Sequence, residues 1–221
     1  MKSLDKFKQE SLTPEMALEI LKSGNERFQN NLKTHRNLLE QVNHTSDGQW
    51  PFACILSCID SRTSAELIFD QGLGDVFSIR IAGNIVNTDI IGSMEFACKV
   101  AGSKLIVVLG HTKCGAIKGA CDHVEMGNLT ELLAKIQPAI YEERTVKEAE
   151  NRTSHNNDFV EKVAELNVKR TLNSIVERSF ILEHMIEKKK IGIVGAMYNI
   201  ETGKVEFYDQ TLYPFFEDNN F

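Results

Sequence analysis

Apolar residues first recur at helical spacing at Met16, Ile20, Leu21 and Phe28, behind the helix-start signal Thr13-Pro14-Glu15, and predict an amphipathic helix over 13–31. Residues 33–50 are polar and poorly periodic, which predicts a loop with at most a turn of helix. The pattern then changes kind. PFACILSC over 51–58 is apolar at successive positions, as in a strand covered on both faces of a parallel sheet. VFSIRI (76–81) and KLIVVLG (104–110) are the next strand-like runs, and a helical piece over 64–70 and a helix over 88–100 lie between them, giving the order βαβαβ. Gly115 opens another helix, 129–141 reads as a further one, and 160–190 is long and charged, with apolar residues at Leu166, Leu172, Ile175, Ile181, Leu182 and Met185. IGIVGAMYNIETGKVEFYD (191–209) reads as two strands about a Thr202-Gly203 turn. The expected fold is α/β: a mainly parallel β-sheet with an antiparallel edge strand, helices packed around it and an N-terminal helical arm.

A chain of 221 residues, 42% of them hydrophobic, suits one domain over 1–221, divided into an arm and loop (1–50) and an α/β core (51–221). The net charge of −6 argues against a nucleic-acid partner. The first dozen residues mix charges with isolated apolar positions, unlike a signal peptide, and the longest apolar runs are too short for a bilayer, so a cytoplasmic protein without membrane attachment is expected. Five cysteines, an odd number in such a compartment, favour metal binding or catalysis over a disulfide framework.

Chemistry concentrates where two strands end. Cys58-Ile59-Asp60-Ser61-Arg62 follows the first strand, and His111-Thr112-Lys113-Cys114-Gly115 follows the strand over 104–110. In open α/β sheets ligands gather at the carboxyl ends of strands, and adjacent parallel strands would bring these two clusters together. Two thiolates and an imidazole suit tetrahedral zinc, with Asp60 as a conditional fourth ligand that leaves the position open when displaced. His-x-x-Cys alone is a weak signal; the joint placement gives it weight. Cys54, Cys98 and Cys121 lack such surroundings and read as small core residues.

The Cys-x-Asp-x-Arg and His-x-x-Cys pair resembles the β-class carbonic anhydrases, as do ELIFDQGLGDVFSIRIAGNI, GSMEFA, VVLGHTKCGAI and the late segments RSFILEHMI and KIGIVGAMYNIETGKVEFYD. The resemblance implies Zn2+ on Cys58, His111 and Cys114, an Asp60 and Arg62 dyad, and reversible hydration of CO2 to bicarbonate by attack of zinc-bound hydroxide. Gln49 and Phe77 are similar to the substrate-pocket glutamine and phenylalanine of the plant-like subgroup, Phe96 stands where many members have tyrosine, and the Gly115 backbone N–H would steady the anionic product. Ile55 takes the place of a tryptophan expected in the other, bicarbonate-regulated subgroup, and Arg80 is expected to serve a salt bridge near a subunit contact. Self-association as a homodimer or dimer of dimers follows from the same resemblance, the N-terminal arm packing on a partner subunit. Two thiolates would cancel the ion's formal charge, so activity is expected to rise from neutral to alkaline pH. Two other readings use the same residues: hydrolysis of a CO2 analogue such as carbon disulfide, and a non-catalytic zinc-binding or redox-sensing protein, which would have no need of Asp60 and Arg62.

Overall fold

Strand β1 (Ala53–Ser57) is buried at every position because it has a strand on each side and helices on both faces. A computed structural model describes residues 4–208 and Leu212. It orders β1, β2 (Val76–Arg80), β3 (Leu105–His111), β4 (Gly192–Tyr198) and β5 (Val205–Tyr208) as β2-β1-β3-β4-β5. The first four are parallel and β5 is antiparallel at the edge, as the alternation of elements predicts. Asp209, the last residue of the expected hairpin, lies outside the described residues, as do residues 1–3.

The period-2 geometry of a strand divides the core in two. Cys54, Leu56, Ile106, Val108 and Ile193 face one layer, packed with α5 (Thr88–Glu95), α9 (Asn157–Arg178) and α10 (Phe180–Glu187) through Met94, Leu172, Ile175 and Leu182. Ala53, Ile55, Leu105, Val107 and Val194 face the other, against α2 (Pro14–Gln29) and α4 (Ala65–Ile68) through Leu18, Leu21 and Ile68. A third cluster lies around the carboxyl ends of β1 and β3, where Cys58 and Cys114 meet α6 (Gly115–Cys121), α7 (Gly127–Ala134), α8 (Gln137–Glu142) and α9 through Ile117, Leu133, Ile140 and Val163. Cys54, Cys98 and Cys121 are buried in these layers, and burial pushes the Cys54 and Cys121 thiols up to about 12. They are core residues, as expected.

Helix α2 begins at its predicted cap, with Thr13 Oγ1 accepting from Met16 N at 3.2 Å. Two helices escape the pattern. α1 (Lys6–Ser11) and α3 (Leu38–His44) are inverted: Leu39 is 70% exposed while Gln41 is 2% exposed, its Oε1 accepting from Leu73 N at 3.2 Å. In α1 the buried residue is Gln9, whose Nε2 donates to Pro51 O and Ala101 O, both at 2.8 Å. A glutamine buried against backbone groups of other segments carries no apolar period, so segment 33–50 holds nearly two turns of helix where a loop is expected. The stretch 129–141 divides into α7 and α8, with Pro138 in the first turn of α8, and 160–190 breaks at Ser179, whose Oγ caps α10 by accepting from Leu182 N at 3.1 Å. The helix over 88–100 changes to a π-helical turn at Phe96–Val100.

At Gly24, α2 runs so close to the chain after α4 that an added Cβ would lie 1.9 Å from Phe69 O. Gly24→Ala is therefore expected to destabilise the fold by roughly 3 kcal/mol, overpacking outweighing a gain in helix propensity of up to about 1 kcal/mol. Urea unfolding measures this, and a midpoint at or above the parent's would refute the close approach.

Candidate metal centre

Cys58 is the first residue beyond β1 and His111 the last of β3, so two adjacent parallel strands deliver them to the same end of the sheet. A tight turn then carries the chain to Cys114, the N-cap of α6. It passes through Lys113 at φ 56°, and Glu161 Oε1 on α9 fastens it by accepting from Lys113 N at 2.8 Å. The ligand atoms of Cys58, His111 and Cys114 all lie within 4.8 Å of one another, and all three residues are buried.

The donor set fits zinc on three counts. The two Sγ atoms are 3.9 Å apart, close to the ~3.8 Å edge of a tetrahedron with Zn–S bonds of ~2.3 Å. His111 Nδ1 lies 2.9 Å from the Thr112 carbonyl, a contact that needs its proton on Nδ1 and leaves the Nε2 lone pair free. That Nε2 is buried and has no hydrogen-bond partner among the described residues, an arrangement that costs free energy until something electrophilic occupies it. The sulfurs are also poised: the Cys114 S–H and, less strongly, the neighbouring His111 imidazole and then the Gly83 N–H at 3.4 Å hold the Cys58 thiol well below its usual range against burial, while the same pairing and burial push Cys114 up. Metal binding to the pair would displace thiol protons.

Asp60 stands outside this trio. Its carboxylate accepts from Arg62 Nε at 2.9 Å, Arg62 Nη2 at 2.7 Å and Arg62 N at 2.9 Å, and the Arg62 hydrogen bonds lower it to about 2. Of the two positions open to a conditional fourth ligand, on the metal or on Arg62, the carboxylate here takes the one on Arg62. Among the described residues of this one chain Arg80 is engaged with backbone carbonyls. It donates from Nε to Cys58 O at 3.1 Å and from Nη2 to Asp60 O at 2.6 Å, and Thr63 Oγ1 donates to the same two carbonyls at 3.0 and 2.9 Å. Arg80 and Thr63 thus brace the loop that presents both a sulfur and a carboxylate. Neither shows a local motif; only the fold reveals their carbonyl partners.

The remaining candidates divide. Gly115 opens α6 beside Cys114, and a Cβ there would meet nothing within 4 Å, so space lies open at that helix start. Gln49 is exposed and precedes β1, at the end of the strand opposite the sulfurs. Phe77 pairs with Cys54 in the sheet register, roughly 13 Å of strand short of Cys58. Its ring meets Phe96 edge-on at 6.4 Å in a hollow of about 530 Å³ that Ile79, Thr88, Gly92 and Ser93 also line. Phe96 is 53% exposed. The single chain thus assembles the metal ligands and the Asp60–Arg62 pair but leaves Gln49, Phe77 and Phe96 apart from them.

Buried Cys-His-Cys donors at the carboxyl ends of two parallel strands, with a carboxylate held beside them by arginine, define a metal-dependent α/β protein with provision for a reactive position at the metal. A family model described as carbonic anhydrase matches residues 53–205. The chain is 33% identical over 204 residues to carbonic anhydrase 2 of Mycobacterium tuberculosis, covering 89% of this chain and 93% of that one, and 32% identical over 199 residues to the carbonic anhydrase of Mycolicibacterium smegmatis, covering 87% and 92%. Among solved structures, the β-carbonic anhydrase CcaA superposes with a TM-score of 0.67 at 26% identity over 89% of each chain. CafA of Aspergillus fumigatus gives 0.67 at 26% over 93% of this chain and 91% of that one. This chain belongs to the carbonic anhydrase family, in its β class.

Proposed function

We propose that this protein catalyses the reversible hydration of carbon dioxide to bicarbonate and a proton on a zinc ion held by Cys58, His111 and Cys114. The observation that carries the reading is the partnerless, buried His111 Nε2 set within 4.8 Å of two sulfurs. Zinc bound there supplies Lewis-acid activation of water at neutral pH. The chain's own residues do the rest. Arg62 keeps Asp60 ionised, and the carboxylate accepts a hydrogen bond from the attacking water and turns the water's free lone pair toward the carbon of CO2. Arg80 and Thr63 fix the carboxylate relative to Cys58, and the Gly115 N–H steadies the anionic product.

Gln49, Phe77 and Phe96 are assigned to the substrate pocket across a subunit contact, as a homodimer or dimer of dimers would require. Their distance from the chain's own sulfurs and the exposure of Phe96 support this, and the similar Sordaria macrospora enzymes are tetrameric. Ile55, buried in β1 where the other subgroup is expected to carry tryptophan, supports the plant-like subgroup. A cytoplasmic location accords with five unpaired cysteines. Among the described residues no helix is long and apolar enough to cross a membrane.

Stopped-flow CO2 hydration by the zinc-loaded protein tests the activity; a rate no faster than buffer would refute it. Arg62→Ala and Asp60→Asn are expected to keep the metal and lose about 100-fold or more in kcat, the scale of a group that orients the reacting water. Elemental analysis and rate should therefore separate. Parent rates in both variants would reduce the dyad to a structural role.

A further inference from the structure

The Cys58 sulfur accepts a hydrogen bond from a backbone N–H, that of Gly83 at 3.4 Å, and this donor is held from elsewhere. Gly83 lies in the 3-10 turn Ala82–Asn84 with φ 69°, a left-handed conformation, and a Cβ there would come within 2.8 Å of Ile136 Cδ1. The following residue, Asn84, is also left-handed at φ 42°. Two successive residues in that region do not hold themselves. The turn is fastened from α9: Asn167, 3% exposed, donates from Nδ2 to Gly83 O at 2.8 Å, and one helical turn on, Thr171 Oγ1 donates to Asn84 O at 3.3 Å.

We infer that Asn167 is a positioning residue for the metal centre: by holding the Gly83 carbonyl it fixes the conformation of Gly83, aims the N–H on the other side of that residue at the Cys58 sulfur, and so sets how much electron density that sulfur would give a metal. The inference rests on Cys58 being a metal ligand. A hydrogen bond to a ligating thiolate stabilises its lone pairs, and such outer partners orient and tune the ligand they touch. Thr171 holds the neighbouring peptide, which has no contact with the sulfur, and provides the internal control.

The parent protein loaded with 113Cd should show scalar coupling between cadmium and the Gly83 amide proton, transmitted through the Cys58 sulfur. Failure to bind cadmium at all would overturn the metal assignment itself. Cadmium bound without that coupling would overturn only the present inference. In the cobalt-loaded protein, Asn167→Leu should move the thiolate-to-cobalt charge-transfer band to longer wavelength and weaken cobalt binding about 10-fold, whereas Thr171→Val should leave both unchanged. Asn167→Ser, which keeps a polar group too short to span 2.8 Å from the Asn167 position to Gly83 O, should act in the same direction if the leucine variant fails to fold. A parent-like band and affinity in the folded Asn167 variants, or an equal shift in Thr171→Val, would show α9 to be merely structural here.

Discussion

Replacing Cys58 by serine or His111 by alanine is expected to remove zinc and CO2 hydration together. Three protein donors would hold the ion, Cys58 from the end of β1 and His111 and Cys114 from the turn after β3, and each supplies one ligand atom. Serine offers an alcohol that is not ionised at neutral pH in place of a thiol already biased toward its thiolate by Cys114. Alanine at position 111 deletes the imidazole whose other nitrogen is fixed on Thr112 O. Loss of a ligand should exceed the roughly 10–100-fold penalty typical of an outer partner, leaving the metal content near zero after dialysis against a mild chelator. The fold should survive, because Arg80 and Thr63 hold the backbone carbonyl of residue 58 and not its side chain. Elemental analysis, circular dichroism and stopped-flow rates on the same preparations decide it. Full zinc in either variant would overturn the ligand assignment.

The largest expected loss of stability lies far from the metal, at Asp70. Its side chain is 3% exposed, and its carboxylate accepts from Arg27 Nε at 2.6 Å, from Thr34 Oγ1 at 2.9 Å and from Arg36 Nη1. This hub ties α2 and the segment leading into α3 to the end of α4. Burial acts to raise the Asp70 carboxyl, but the hydrogen bonds from Arg27, Arg36 and Thr34 outweigh it and bring it down to about 2. Because the folded value lies below the ordinary 3.8, the stabilisation is complete above about pH 4 and is lost as the pH falls through 2. Asp70→Ala leaves a nearly buried Arg36 without its counter-charge, and a loss of roughly 3–5 kcal/mol is expected at neutral pH. Urea denaturation at pH 7 and at pH 3 measures both effects. The deficit should shrink at the lower pH, where the parent has lost part of the same interaction; an equal deficit at both would show that the hub is not held by charge.

The core strands and the candidate metal cluster were legible because each writes its own local signature: unbroken apolar runs for β1 and β3, and polar ligand-type residues placed directly behind them. Cys54 and Cys98 were separable from Cys58 for the same reason. What stayed hidden depends on partners distant in sequence. Gln9 and Gln41 bury amides against carbonyls or amides of other segments, which reverses the polarity that marks a helix face. Arg80, Thr63, Gly83 and Asn167 work through backbone groups, and a carbonyl or N–H is the same in every sequence. Gln49 and Phe77 carried the likeness of pocket residues, yet the path of one chain keeps them from its own sulfurs.

Cys58 is carried by β1 and His111 with Cys114 by the far end of β3, and those strands are matched residue for residue, Ala53 with Leu105 through Ser57 with Leu109. A slip of one residue between them would displace Cys58 by about 3.3 Å and turn its side chain to the opposite face, breaking the tetrahedron. Metal affinity is thus available only to the correctly aligned sheet. An ion held by these three residues would therefore add its binding free energy to the aligned sheet alone, and the gap between aligned and slipped pairings would widen with the concentration of free metal.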